Sequence, residues 1–149
     1  MNQLYYEKTD VKTISYAAVR VILGGYLLIH SIINVLNYNQ FISDTMKYFE
    51  KDSSFNFLAE LAPLVPLMEF FIAGMIILGL YTSVSLKWAV GLGIFFTIFF
   101  HVTGDYETAL VHCYTLLAKT SLYLLIAYNK LSLDYYNIWK EQESISKVR

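Results

Sequence analysis

Glu69 is the one acid placed deep inside an apolar run, in "PLMEFFIAGMIILGLYT". A carboxylate in such surroundings suits proton uptake and release, because burial and nearby cations set its affinity for a proton. Arg20 and Lys119 are cations in other apolar runs, and either could reach Glu69. Two readings follow. Arg20, Glu69 and Lys119 form a structural ion network between helices, where an unpaired member would be penalised heavily in lipid. Alternatively, Glu69 and His30 are catalytic and move protons while a quinone or other small acceptor is reduced.

The histidines His30, His101 and His112 stand on separate apolar runs. Imidazole suits zinc, copper and iron, but no HxxxH or ExxH pair falls within a run, so no metal ligands are assigned. A hydrogen-bonded polar cap is one alternative. A quinone headgroup site is another, with His101, His112, Asn34 and Asp105 as the binding residues. Asp105 and Glu107 are either solvated turn residues or carboxylates that orient imidazole. Cys113 is the sole cysteine, so the chain cannot close a disulfide on itself or build a CxxC pair or thiolate cage. It is read as a packing residue or, beside His112, as an activated thiol.

Such residues need helices to bring them together. Of the 149 residues 56% are hydrophobic and 15% charged, against about 45–50% and about 25% in soluble domains. The mean hydropathy is +0.46. Four apolar runs, at about 14–36, 61–81, 84–103 and 109–128, each have the roughly twenty residues that cross about 30 Å of hydrocarbon. The expectation is all-α: one integral membrane domain over 1–149, a transmembrane four-helix bundle. The first run is too long for a cleavable signal and is read as an uncleaved span. The long link Asn37–Glu60, with Phe41, Ile42, Met46 and Phe49 among polar residues, is read as an interfacial helix, with a loose loop as the alternative. A net charge of -1 without a long basic run gives nucleic acid no footprint.

Lys8, Lys12, Lys87, Lys130, Lys140, Lys147 and Arg149 fall on one side of these runs, and only Lys47 and Lys51 on the other. The arm 1–13 and the tail 129–149 are therefore predicted to be cytoplasmic. At about 100° per residue, Arg20, Gly24, Leu27, Ser31, Asn34 and His30 share one face of the first run. Gly93, Thr97, His101 and Asp105 follow at four-residue steps, as do His112, Thr115, Lys119 and Tyr123 within a similar arc. The stripes are expected to converge on a polar interior, with the histidines at the extracytoplasmic end.

Arg20 and His30 in "RVILGGYLLIHSIIN", the P-x-x-E of Pro66 and Glu69, and Lys119 followed by "SLD" resemble, in that order, the DoxX family of small four-helix membrane proteins. Ser31 and Asn34 depart from that family's glycine and lysine after the histidine, which removes a cation from the outer cluster. The resemblance implies a bacterial inner-membrane subunit of a redox or respiratory-type complex, with a protein partner or a second copy. From the histidines, a quinone is expected before a metal or haem. The rival expectation is a non-catalytic scaffold or assembly factor that docks a partner through the arm and tail. A carrier or channel is disfavoured by the lack of internal duplication.

Overall fold

A computed structural model of the chain describes residues 11–51 and 56–138, and every regular element among them is helical. The all-α expectation holds. The elements are α1 (Val11–Leu36), α2 (Tyr38–Lys51), α3 (Asn56–Ala59), α4 (Val65–Leu78), α5 (Thr82–Val102) and α6 (Tyr106–Leu124). Turns of 3-10 helix occupy Ala62–Leu64 and Ile126–Tyr128, and residues 133–138 are again helical. The arm 1–10 and the tail beyond 138 lie outside the described residues.

The buried residues of α1 are Thr13, Tyr16, Arg20, Leu23, Gly24, Leu27 and Ser31. Their three- and four-residue steps trace one stripe of a helix with 3.6 residues per turn. Ile22, Ile29 and Leu36 point the other way and are exposed. Gly24 lets α1 close on α4: a Cβ there would stand 2.6 Å from Ile77 Cγ1 and 3.3 Å from the Ala73 carbonyl oxygen. Small residues serve this purpose where helices pack without help from water.

Local chemistry sets the helix ends. Pro66 sits in the first turn of α4, where its missing N–H is harmless. Gly79 ends the helix in the left-handed conformation, φ 66°, its N–H returning to the Ile76 carbonyl. Gly104, φ 82°, follows α5, and Asp105 caps α6 by accepting from the Thr108 N–H at 3.1 Å. The short links make consecutive helices neighbours, and contacts run α1 to α4, α4 to α5, α5 to α6 and α6 back to α1. The core gathers Tyr16, Leu23, Leu27, Ala73, Ile76, Leu86, Ala89 and Leu122.

The described parts of the long link, Tyr38–Lys51 and Asn56–Ala59, are helical. Phe49 of α2 is buried with Ala62 and Phe99, so α2 is fastened over one end of α5. Expected run boundaries move where caps act: the run drawn to 81 stops at Leu78 because Gly79 turns the chain. The run begun at 109 starts at Tyr106 because Asp105 caps it. Among the described helices α1 and α5 are long and apolar enough to cross a membrane, and the segment Ala62–Leu78 is apolar but shorter. α6 has the length but carries Glu107, His112 and Lys119.

Candidate functional site

Pro66 starts α4 so that Glu69, one turn further, faces α1, with its side chain only 11% exposed. The His30 Nδ1–H donates to Glu69 Oε2 at 3.1 Å. The Asn34 amide, one turn along α1, lies 3.4 Å from the same imidazole nitrogen. A carboxylate acceptor fixes the proton of a neutral imidazole on Nδ1 and leaves Nε2 for another partner.

This pair borders a cavity of about 480 Å³, within the range of small-molecule sites. Phe95, Phe96, Phe99 and Phe100 of α5 supply much of its wall, and Phe41, Tyr48 and Phe49 of α2 close it from above. The polar groups that border it include His30, Asn34, Glu69 and His112. The His112 ring stacks on Phe100 with centroids 5.1 Å apart and tilts against Phe96 at 5.3 Å. Its ring nitrogens make no hydrogen bond among the described residues. A second, smaller hollow shares Asn34, Phe41, Thr45, Tyr48, Phe100 and Thr108 with the first and adds Asn37, Gln40 and Asp44. The chamber thus has a polar vestibule on its α2 side.

α2 is latched in place. The Tyr48 hydroxyl donates to Asp105 Oδ2 at 2.6 Å, and the Tyr48 ring meets Phe99 and Phe100 edge-on. Burial, and then the bond to Asp105, push the Tyr48 phenol up to about 12. Asp105 therefore directs its oxygens to the Thr108 N–H, the Thr108 hydroxyl and Tyr48.

The three histidines do not all gather: His30 and His112 border the chamber and His101 does not. His101 is exposed and packs against Tyr106, centroids 5.2 Å apart, away from the chamber. The reason is rotational: each four-residue step turns a helix about 40° past a full circle, so His101 stands about 80° round from Gly93. No group of three or more His, Cys, Asp or Glu able to hold a metal occurs among the described residues.

Of the expected Arg20–Glu69–Lys119 network, Arg20 takes other partners, while Lys119 and Glu69 interact at a distance without a close ion pair among the described residues. Arg20 lies ten residues before His30, about 15 Å along the helix, and serves the opposite end of the molecule. Its Nη1 donates to Asn129 Oδ1 and its Nη2 to the Leu131 carbonyl, both at 2.7 Å. Gly79 leaves room for the guanidinium, since a Cβ there would collide with Nη1. Asp134 accepts from the N–H groups of Tyr81 at 2.6 Å and Thr82 at 2.7 Å, capping α5. The Asn129 amide donates to the Thr82 hydroxyl at 2.9 Å. The tail's first residues are thus wound into the packed helices. Lys119 is 5% exposed, and its Nζ rests 3.6 Å from where a Gly93 Cβ would stand.

Residues not anticipated are Tyr48, Asn129 and the α5 phenylalanines, and Asp134 entered only as the acid of the "SLD" run, with no role given to it. The phenylalanines left a signal too, the pairs Phe95–Phe96 and Phe99–Phe100 repeating at i, i+4.

Residues 12–113 match the family described as methylamine utilisation protein MauE. The chain belongs to this family. MauE is a family of membrane proteins, and its match takes in Arg20, His30, Glu69, Asp105 and His112 while ending before Lys119. The resemblance to DoxX is corrected accordingly: the family found is MauE, with no match to DoxX. The short motifs behind that resemblance, a cation, a histidine and an acid on glycine-bearing apolar helices, meet a need common to small membrane bundles with a polar interior. No curated protein and no solved structure matches the chain.

Proposed function

We propose that this MauE-family protein is an accessory integral membrane component of a methylamine utilisation system, and that it holds a quinone-like ring lipophile in the chamber beside Glu69. The family description supports the setting. In this reading α1, the Ala62–Leu78 segment, α5 and α6 cross the bacterial inner membrane with both termini cytoplasmic, following the lysine and arginine asymmetry. α2 then lies at the outer surface as a lid on the chamber. A protein partner on either face supplies or receives the electrons.

One observation carries the ligand assignment: an apolar chamber of about 480 Å³, walled by aromatic rings, with the Glu69–His30 pair at its edge. Rings favour a flat ring between them, stacked or edge-on. His30 Nε2 and the free nitrogens of His112 supply the few polar contacts that orient a carbonyl-bearing headgroup. Glu69 behind His30 fixes the imidazole and can exchange a proton with it.

The test is binding of a short-chain quinone to protein in nanodiscs, measured against empty nanodiscs. The wild type binds, and Glu69→Gln and His30→Ala weaken binding at least tenfold while the helical circular dichroism is kept. Equal binding by all three proteins rejects the site. Copurification of a neighbour by a wild type that binds no quinone favours a scaffold.

A further inference from the structure

The chamber opens in two directions, and the two rims differ in chemistry. A side chain that lines a cavity and is also exposed stands at a mouth of it. On the α2 side the adjoining hollow brings Asn37, Gln40 and Asp44, a rim suited to water. The exposed apolar liners lie elsewhere: Leu61 and Leu64 just before α4, Met68 on α4 and Phe95 on α5.

These four residues mark the seam between α4 and α5. Leu64 and Met68, four residues apart, share one edge of the Ala62–Leu78 segment. Met68 lies ten residues from Leu78, the end of α4, and Phe95 thirteen from Thr82, the start of α5. Both therefore stand at a similar height, about 15 Å and about 20 Å from the link that joins the two helices. The seam is also thinner than its neighbours, for α4 packs mainly on α1 and α5 mainly on α6. Its flanks are apolar. Leu67, Phe71, Ile94 and Ile98 are exposed, and α5 carries no ionisable side chain between Lys87 and His101. From Leu61 to Leu78 the one ionisable side chain is Glu69, which is 11% exposed and turned to His30.

We infer that the α4–α5 seam is a lateral portal from the bilayer, and that the chamber's ligand is a ring bearing a long hydrocarbon chain. The ring is held beside Glu69 and His30 while the chain leaves between Leu64, Met68 and Phe95. A mouth facing acyl chains has to be free of groups that need water, and this one is. Lipid tails are as apolar as leucine, so a chain threaded through the portal exchanges one hydrocarbon contact for another. Chain length then has little effect on affinity, because the chain stays in lipid and need not fit the 480 Å³ of the chamber. The α2 rim offers the same chain only amides, a carboxylate and water.

The inference rests on the chamber reading above, and two measurements on the wild type in nanodiscs separate their failures. The first compares a short-chain quinone with the same ring carrying a long isoprenoid chain, each affinity expressed per mole fraction in the bilayer. The long chain should not weaken binding by more than about threefold. A larger loss overturns the portal and leaves the chamber standing, and binding of neither ring overturns both. The second uses the ring with a diazirine a few carbons along its chain and locates the photolabel by mass spectrometry. Label that excess short-chain quinone displaces is expected on Leu61, Leu64, Met68 or Phe95. Displaceable label on Ile33, Asn37 or Gln40 instead sets the chain in the vestibule and overturns the portal. So does a lack of displaceable label on every helix.

Discussion

At the scale of single residues, the chain sets its ionisable side chains toward two ends of the molecule. Glu69 and His30 serve a chamber, while Arg20 serves a joint. Gly79 shows how closely the joint is fitted. Its positive φ disfavours any side chain, and a Cβ would also strike Arg20 Nη1 and approach Ser132 Cβ. Gly79→Ala is expected to lower stability by about 1–3 kcal/mol, read as a drop in the midpoint of thermal unfolding in detergent. Gly25→Ala, a change into open space on α1, should leave that midpoint within experimental scatter. Sequence alone could nominate Arg20, Glu69 and His30 as costly in hydrocarbon. It could not pair them, because the partner of Arg20 is a neutral amide and a carbonyl in what reads as a polar tail.

At the scale of elements, α2 depends on Tyr48. The folded protein holds the phenol pKa near 12, above its ordinary value of 10.0, so folding favours the protonated form. The contribution is complete below about pH 10 and is lost as pH rises through about 12. Wild-type stability should fall over that window by more than the stability of Tyr48→Phe, which has no proton to lose. At neutral pH the same variant frees α2 from Asp105, and trypsin should cut after Lys47 several-fold faster. The cap on α5 is a separate device. Asp134→Ala removes acceptors from two N–H groups, with an expected loss of about 1 kcal/mol in a urea or thermal titration. The elements themselves were largely legible, because uninterrupted apolar runs and glycine turns mark helices in any sequence. Their rotation is less so: a four-residue stripe drifts, which sets His101 outside the group that its spacing suggests.

At the scale of the whole molecule, exposed Ile22, Ile29, Phe71, Trp88, Ile98 and Leu117 make an apolar exterior far larger than an aqueous surface tolerates. The protein should leave membranes only with detergent. Orientation is testable because Cys113 is the sole cysteine. In a Cys113→Ser background, Asp44→Cys should react with an impermeant maleimide in intact spheroplasts, and Lys87→Cys only after permeabilisation. The reverse pattern would invert the proposed topology. What the short motifs could not supply was the family, since a spaced cation, histidine and acid meet a need common to small membrane bundles; the match over residues 12–113 supplies it.

The clamp on Arg20 also has a temporal side. Synthesis delivers α1 first, whereas Asn129, Leu131 and Asp134 emerge more than a hundred residues later. Until then the guanidinium has neither of its native acceptors, and the first helix must wait, shallow or chaperoned, for residues 129–131. Nascent chains halted before residue 129 should therefore be degraded by membrane proteases far sooner than chains halted after the tail has been released. A segment made more than a hundred residues later is the one that lets the first helix settle.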